Sequence, residues 1–140
     1  WVEMYCKLIE IEANTLNEMV NSSVVPPGLE YEELVADNLA KIIALKKQTG
    51  LKLEAKTVED RKAHLSEVVS IIYYVRHNTR EMMELLKKSE HLSPKKKAEL
   101  LFDKIKPYME HIRKHVDALE CVVSDESWDL PKYREMLFIK

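Results

Sequence analysis

The longest unbroken helical pattern in the chain is TVEDRKAHLSEVVSIIYYVRHNTREMMELLKK, residues 57–88. Acidic residues follow Thr57, a plausible N-cap, and Lys87 and Lys88 close the pattern, so both ends suit the helix dipole. The stretch predicts an amphipathic helix about 45 Å long. Its inward positions recur every three or four residues, as on one face of an α-helix: Val58, Leu65, Val68, Ile72, Val75, Thr79, Met82 and Leu86.

Two more helices are predicted before this stretch, at about residues 1–25 and 29–49. The same apolar spacing runs through both. Pro26-Pro27-Gly28 lies between them and is expected to stop or sharply kink the chain, because proline lacks a backbone donor and clashes with the preceding turn. Gly50 follows a basic last turn and is expected to end the second of these helices.

A fourth helix is predicted at about residues 93–123. Ser93-Pro94 is a strong start signal, because serine can cap free amides and proline has no amide to leave unpaired. Pro107 falls inside the pattern and must kink or split the helix. We therefore expect one all-α domain over residues 1–140, an antiparallel four-helix bundle of long amphipathic helices with a short C-terminal helical tail at 124–140.

Composition narrows the classes of partner. The 22 basic and 24 acidic residues give a net charge of −2, so the basic stripe that nucleic-acid binding needs is not expected. No stretch approaches the roughly 20 apolar residues of a membrane span. The opening residues do not resemble a signal peptide, and we expect a cytoplasmic protein. Because the chain opens at Trp1 within a helical pattern, we also expect it to be the C-terminal fragment of a longer chain.

No residue pattern predicts a catalytic, cofactor or metal site in this segment. A di-iron bundle needs a Glu three residues before a His on each of two helices, and none of the five histidines has one. His111 and His115 could face one zinc ion, but a partly exposed pair is the better interpretation without further ligands nearby in sequence. Cys6 and Cys121 are interpreted as buried free thiols.

The end of the chain carries more apolar surface than a short terminal segment can bury alone. It is predicted to fold back on the bundle or to dock on another surface. The residues proposed for docking or assembly are Trp128, Leu130, Pro131, Tyr133, Leu137 and Phe138.

A helix over Asp117 to Val123 leads into Asp125, Trp128, Pro131, Tyr133 and Leu137-Phe138. In this order the chain resembles the extreme C-terminus of type III glutamine synthetases, the large bacterial form of that enzyme. A second resemblance lies upstream. It comprises Ile11-Glu12-Ala13, Val25-Pro26, Tyr31, Leu34 and Asn38. Two departures are Asp129, where the family often has proline, and Pro27-Gly28, where the family usually lets the helix continue.

The resemblance implies a parent enzyme that joins ammonia to glutamate with ATP and Mg or Mn, in a large homo-oligomer. The family's catalytic residues precede this region, so none is carried onto a position here. We expect a structural and assembly domain whose partners are the rest of the synthetase chain and neighbouring subunits. The alternative is a stand-alone helical module that binds another protein.

Overall fold

A computed structural model describes residues 1–123, and the predicted tail at 124–140 lies outside the described residues. The expected all-α class is confirmed, since residues 1–123 contain no strand. Within residues 1–123, five α-helices and two five-residue π turns follow one another. They are α1 (Val2–Met19), a first π turn (Val20–Val24), α2 (Val25–Thr49), α3 (Thr57–Ser89), α4 (Pro94–Leu100), a second π turn (Leu101–Ile105) and α5 (Lys106–Glu120).

The prediction of four long helices is wrong, because the first two are one. Helix α1, the first π turn and α2 form an unbroken helical rod over residues 2–49, with no stop at Val25 or restart at Leu29. The N–H of Val25 donates to the carbonyl of Val20, five residues back. This wider turn places the two prolines in the first turn of α2, where helices tolerate proline.

The second π turn accommodates Pro107 by the same hydrogen-bond pattern. The N–H of Lys106 donates to the carbonyl of Leu101, again five residues back, and Pro107 follows in the first turn of α5. The local break expected at Pro107 is therefore a π turn inside a continuous rod over residues 94–120. The described residues therefore form three long rods, which are residues 2–49, helix α3 and residues 94–120.

Two of the predicted helix ends are found and one cap is wrong. Gly50 ends α2 with φ 67°, and its N–H donates to the carbonyl of Lys46 at 3.2 Å. Ser93 occupies the N-cap of α4, although its side chain makes no capping hydrogen bond. Thr57 does not cap α3, because Lys56 holds that position and the Thr57 hydroxyl donates to the carbonyl of Glu54 at 2.8 Å.

The first rod runs antiparallel to α3 and parallel to the third rod. Tyr31 pairs with His64 and Asn38 with Arg61 along the first two rods, while an ion pair joins Glu10 to Lys97 of the third. The core lies where all three rods meet. Its fully buried members are Ala13, Val20, Val24, Val68, Val75, Met82, Leu101, Ile105 and Ile112.

Beyond this core, α2 and α3 continue as a two-helix hairpin. A Cβ at Gly28 would lie 3.1 Å from Leu119, near the end of α5, so the third rod ends close to the start of α2. Leu39 is buried in the hairpin but stands apart from the core cluster. We call residues 31–64 the distal hairpin, since among the described residues only two rods meet there.

Candidate functional site

The residues predicted to dock belong to the tail at 124–140. Trp128, Leu130, Pro131, Tyr133, Leu137 and Phe138 all lie outside the described residues. Val123, the last described residue, is buried in the core cluster. The docking role of the tail stays a prediction.

The histidine pair on α5 is partly exposed, as expected. His111 is exposed and His115 half-buried. His115 uses Nδ1 to donate to the carbonyl of His111 at 2.8 Å, and its ring centroid lies 5.4 Å from that of Tyr74. Within residues 1–123, no three His, Cys, Asp or Glu side chains come together as a metal ion would require.

The two cysteines differ. Cys6 is buried in the core, as predicted, but Cys121 is exposed, so its predicted burial is wrong. Cys121 follows the last residue of α5, where Leu119 and Val123 take the inward positions. The inward apolar positions therefore lie before and after Cys121 in the sequence, and Cys121 is not one of them.

One ion pair ties α1 to α4. The Lys97 ammonium contacts the Glu10 carboxylate. This hydrogen bond raises the pKa of Lys97 above its ordinary value of 10.5, against the opposing effect of partial burial. The contact joins the middle of α1 to the middle of α4.

Helix α1 carries a second apolar stripe that faces away from the core. The stripe, here called the outer face, consists of Trp1, Met4, Leu8 and Ile11. Trp1 is fully exposed, and Met4, Leu8 and Ile11 are 64%, 55% and 54% exposed. Their spacing of three and four residues puts them on one side of the helix.

A groove of about 370 Å³ opens beside the outer face. It is lined by Trp1, Val2, Met4, Tyr5, Leu8 and Ala98. The Tyr5 hydroxyl is buried and has no hydrogen-bond partner among the described residues. An apolar groove of this kind suits the packing of apolar side chains.

Sequence reasoning missed the outer face because one apolar stripe already accounted for α1. The inward stripe, with Cys6, Ile9, Ala13 and Leu16, is the one that the spacing assigned and that the structure buries. The sequence nevertheless contained a signal for the outer face, which is the width of the apolar arc on α1. A helix that buries one side needs an apolar arc of only ~100°. Met4, Leu8 and Ile11 widen the arc well beyond that.

Comparison with known proteins decides the family. A family profile described as "Glutamine synthetase C-terminal domain" matches residues 1–43. The chain is 31% identical to Glutamine synthetase from Bacteroides fragilis (strain YCH46), over 99% of this chain and 19% of that protein. Residues 1–43 belong to the glutamine synthetase C-terminal domain family. Type-3 glutamine synthetase from Dictyostelium discoideum is 30% identical, over 99% of this chain and 18% of that protein.

The chain spans about a fifth of the length of the curated relatives it matches. The family match at residues 1–43 covers α1, the first π turn and most of α2. The outer face thus lies inside the matched part. None of the helices within residues 1–123 has both the length and the hydropathy required to cross a bilayer.

Proposed function

We propose that this chain serves as the C-terminal structural and assembly domain of a type III glutamine synthetase. Its parent enzyme makes glutamine from glutamate, ammonia and ATP in the cytoplasm, as a large homo-oligomer. The domain itself holds no catalytic residue, and the tail from Trp128 to Phe138 docks on the catalytic core or on a neighbouring subunit.

The observation that carries this proposal is the extent of the match. About 30% identity holds over 99% of the chain, yet the matched proteins are about five times as long. A segment that aligns throughout with a small part of a large enzyme is best explained as a domain of such an enzyme. The family description supports the C-terminal position.

The ATP and metal site that the family implies is assigned here to another part of the parent chain. Gly28 lies inside α2 and Gly50 at its C-terminal end, so neither belongs to a glycine-rich loop that cradles phosphates. Within residues 1–123, no three His, Cys, Asp or Glu side chains lie close enough together to hold a metal ion. In this proposal, ATP and Mg or Mn bind to the preceding part of the parent chain.

The assembly role can be tested with Trp128→Ala in the parent synthetase. Truncating a large aromatic in a buried contact costs about 3 to 5 kcal/mol, so the variant should dissociate into smaller species or melt earlier. Tyr73→Ala is the matched control, because Tyr73 is exposed on α3. Unchanged oligomer size and melting temperature in Trp128→Ala would contradict the role of the tail.

A further inference from the structure

Helix α1 is amphipathic on two sides, and only one of them is used within the described residues. Cys6, Ile9 and Ala13 pack into the core, while Met4, Leu8 and Ile11 are each more than half exposed. Scattered exposed apolar side chains are normal, but an aligned set beside an apolar groove marks an interaction surface. The outer side of α5 differs, carrying exposed Glu110, Arg113 and Lys114.

The apolar surface continues from α1 onto the third rod. Ala98 lines the same groove as Tyr5 and Leu8. Phe102, one turn after Ala98, is 59% exposed. The ion pair between Glu10 and Lys97 holds α1 and α4 together here, so the surface lies on packed helices and is formed before any partner binds.

We infer that the outer face of α1, with its groove, is the surface on which the preceding part of the same synthetase chain packs. This inference rests on the proposed function. In a synthetase of which this is the C-terminal domain, the preceding chain enters α1 at Trp1, the first residue of the outer face. A tethered partner of this kind acts at a high effective concentration, so even a modest apolar surface would be occupied.

The C-terminal tail is a less suitable occupant. The groove lies beside Ala98, and the third rod continues from there to Glu120, about 33 Å at 1.5 Å per residue. Residues 124–140 would have to run back along most of this rod to reach the groove. The outer face and the tail would give the domain two separate contacts with its parent enzyme.

Hydroxyl-radical footprinting of the intact parent synthetase tests the inference. Methionine oxidation depends on exposure, and the domain provides an internal scale. Met82 is fully buried in the core, while Met4 is 64% exposed when only the described residues surround it. Packing of the preceding chain should slow the oxidation of Met4 to within about threefold of Met82. Oxidation of Met4 at the rate of an exposed methionine would overturn the inference.

A variant identifies what covers the face. Leu8→Glu places a charge in the contact and should raise Met4 oxidation about tenfold in the intact enzyme. Val69→Glu, at another half-exposed apolar position on α3, should leave it unchanged. Protection of Met4 that disappears when the oligomer is diluted to single subunits would identify a second copy as the occupant and overturn the inference.

The outcomes separate the two proposals. A long chain with synthetase activity and a freely oxidised Met4 would leave the proposed function standing and overturn only the role of the outer face. A native chain near 16.4 kDa would overturn both. Protection of Met4 in such a short chain would indicate an occupant other than a preceding segment.

Discussion

Gly28 lies where the three rods pack tightly together. A Cβ at this position would lie 3.1 Å from Leu119 Cδ2 and 3.3 Å from two side-chain atoms of Ile72. Those distances are tight, yet the neighbouring atoms belong to side chains and not to backbone. Helix packing here depends on the small size of one residue.

The loss of stability caused by a substitution at Gly28 should therefore depend steeply on the volume of the new side chain. Gly28→Ala should change the free energy of unfolding little, because a helix propensity gain of up to about 1 kcal/mol offsets the tight contacts. Gly28→Val should destabilise by about 1 to 3 kcal/mol through overpacking. Urea denaturation of both variants measures the difference, and equal stability would show that the rods can move apart at this point.

The Lys97–Glu10 pair should give a small pH-dependent contribution to stability. Because the folded pKa of Lys97 is raised above 10.5, the contribution is complete below that pH and is lost as pH rises through the folded pKa. Partly exposed pairs contribute about 0.2 to 1 kcal/mol.

Urea denaturation between pH 8 and pH 11 can isolate this effect. The stability advantage of the unmodified chain over Glu10→Gln should be present at the lower pH and shrink at the upper one. Lys95→Met, at an exposed position in the same helix, controls for the general loss of lysine charge. An advantage that grows with pH would contradict the assigned sign.

At the scale of elements, the π turns explain how two helices pass through prolines. Inward residues around them are spaced by four on consecutive turns, as in Leu16, Val20, Val24 and Gly28. On a regular α-helix, each step of four residues turns 40° beyond a full circle at 100° per residue, so three steps rotate the inward direction by about 120°. A turn with one extra residue absorbs much of this drift, and it keeps α1 and α2 facing the same core.

Deleting Asp103 from the second π turn tests this account. The deletion should convert the turn into regular α-helix while keeping Leu101 and Met109 inward, but Pro107 would then lie in a helix interior. The expected cost is about 3 kcal/mol, and adding Pro107→Ala should recover most of it.

Deletion of Glu110 is the matched control, because it falls in the regular part of α5. It should abolish cooperative unfolding by turning Ile112 and Val116 about 100° away from the core. Thermal melts by circular dichroism distinguish these cases. An Asp103 deletion that is as damaging as the Glu110 deletion, with or without Pro107→Ala, would refute the π-turn account.

Local signals explain which parts of this architecture were predictable. The end of α2 at Gly50 and the start of α4 at Ser93-Pro94 depend on single residues with fixed backbone preferences, and both were found. The continuation through Pro26-Pro27 depends on the hydrogen-bond register of the preceding turn, which no single residue type specifies. The outer face of α1 was missed because assignment stopped at one apolar stripe.

At the scale of the whole molecule, stability should be uneven along the rods. In the part of the chain that the structure describes, three rods enclose the core, but only α2 and α3 meet in the distal hairpin, where Leu39 is buried apart from the main cluster. Regions with few buried apolar contacts open at lower free energy.

Hydrogen exchange should show this difference directly. Amides of residues 40–48 and 58–63 are expected to exchange roughly tenfold or more faster than those of residues 71–82, because local opening of the hairpin leaves the core intact. Mass spectrometry of the corresponding peptides provides the measurement. Equal protection in both regions would mean that the hairpin is covered by another part of the protein.

The most direct test of the central claim is the intact mass of the native protein that carries this segment, measured after denaturation together with its activity. If the segment is the C-terminal domain of a type III glutamine synthetase, that protein should be several times heavier than 16.4 kDa and release phosphate from ATP only when glutamate and ammonium are both present. A native chain close to 16.4 kDa, without that activity, would contradict it.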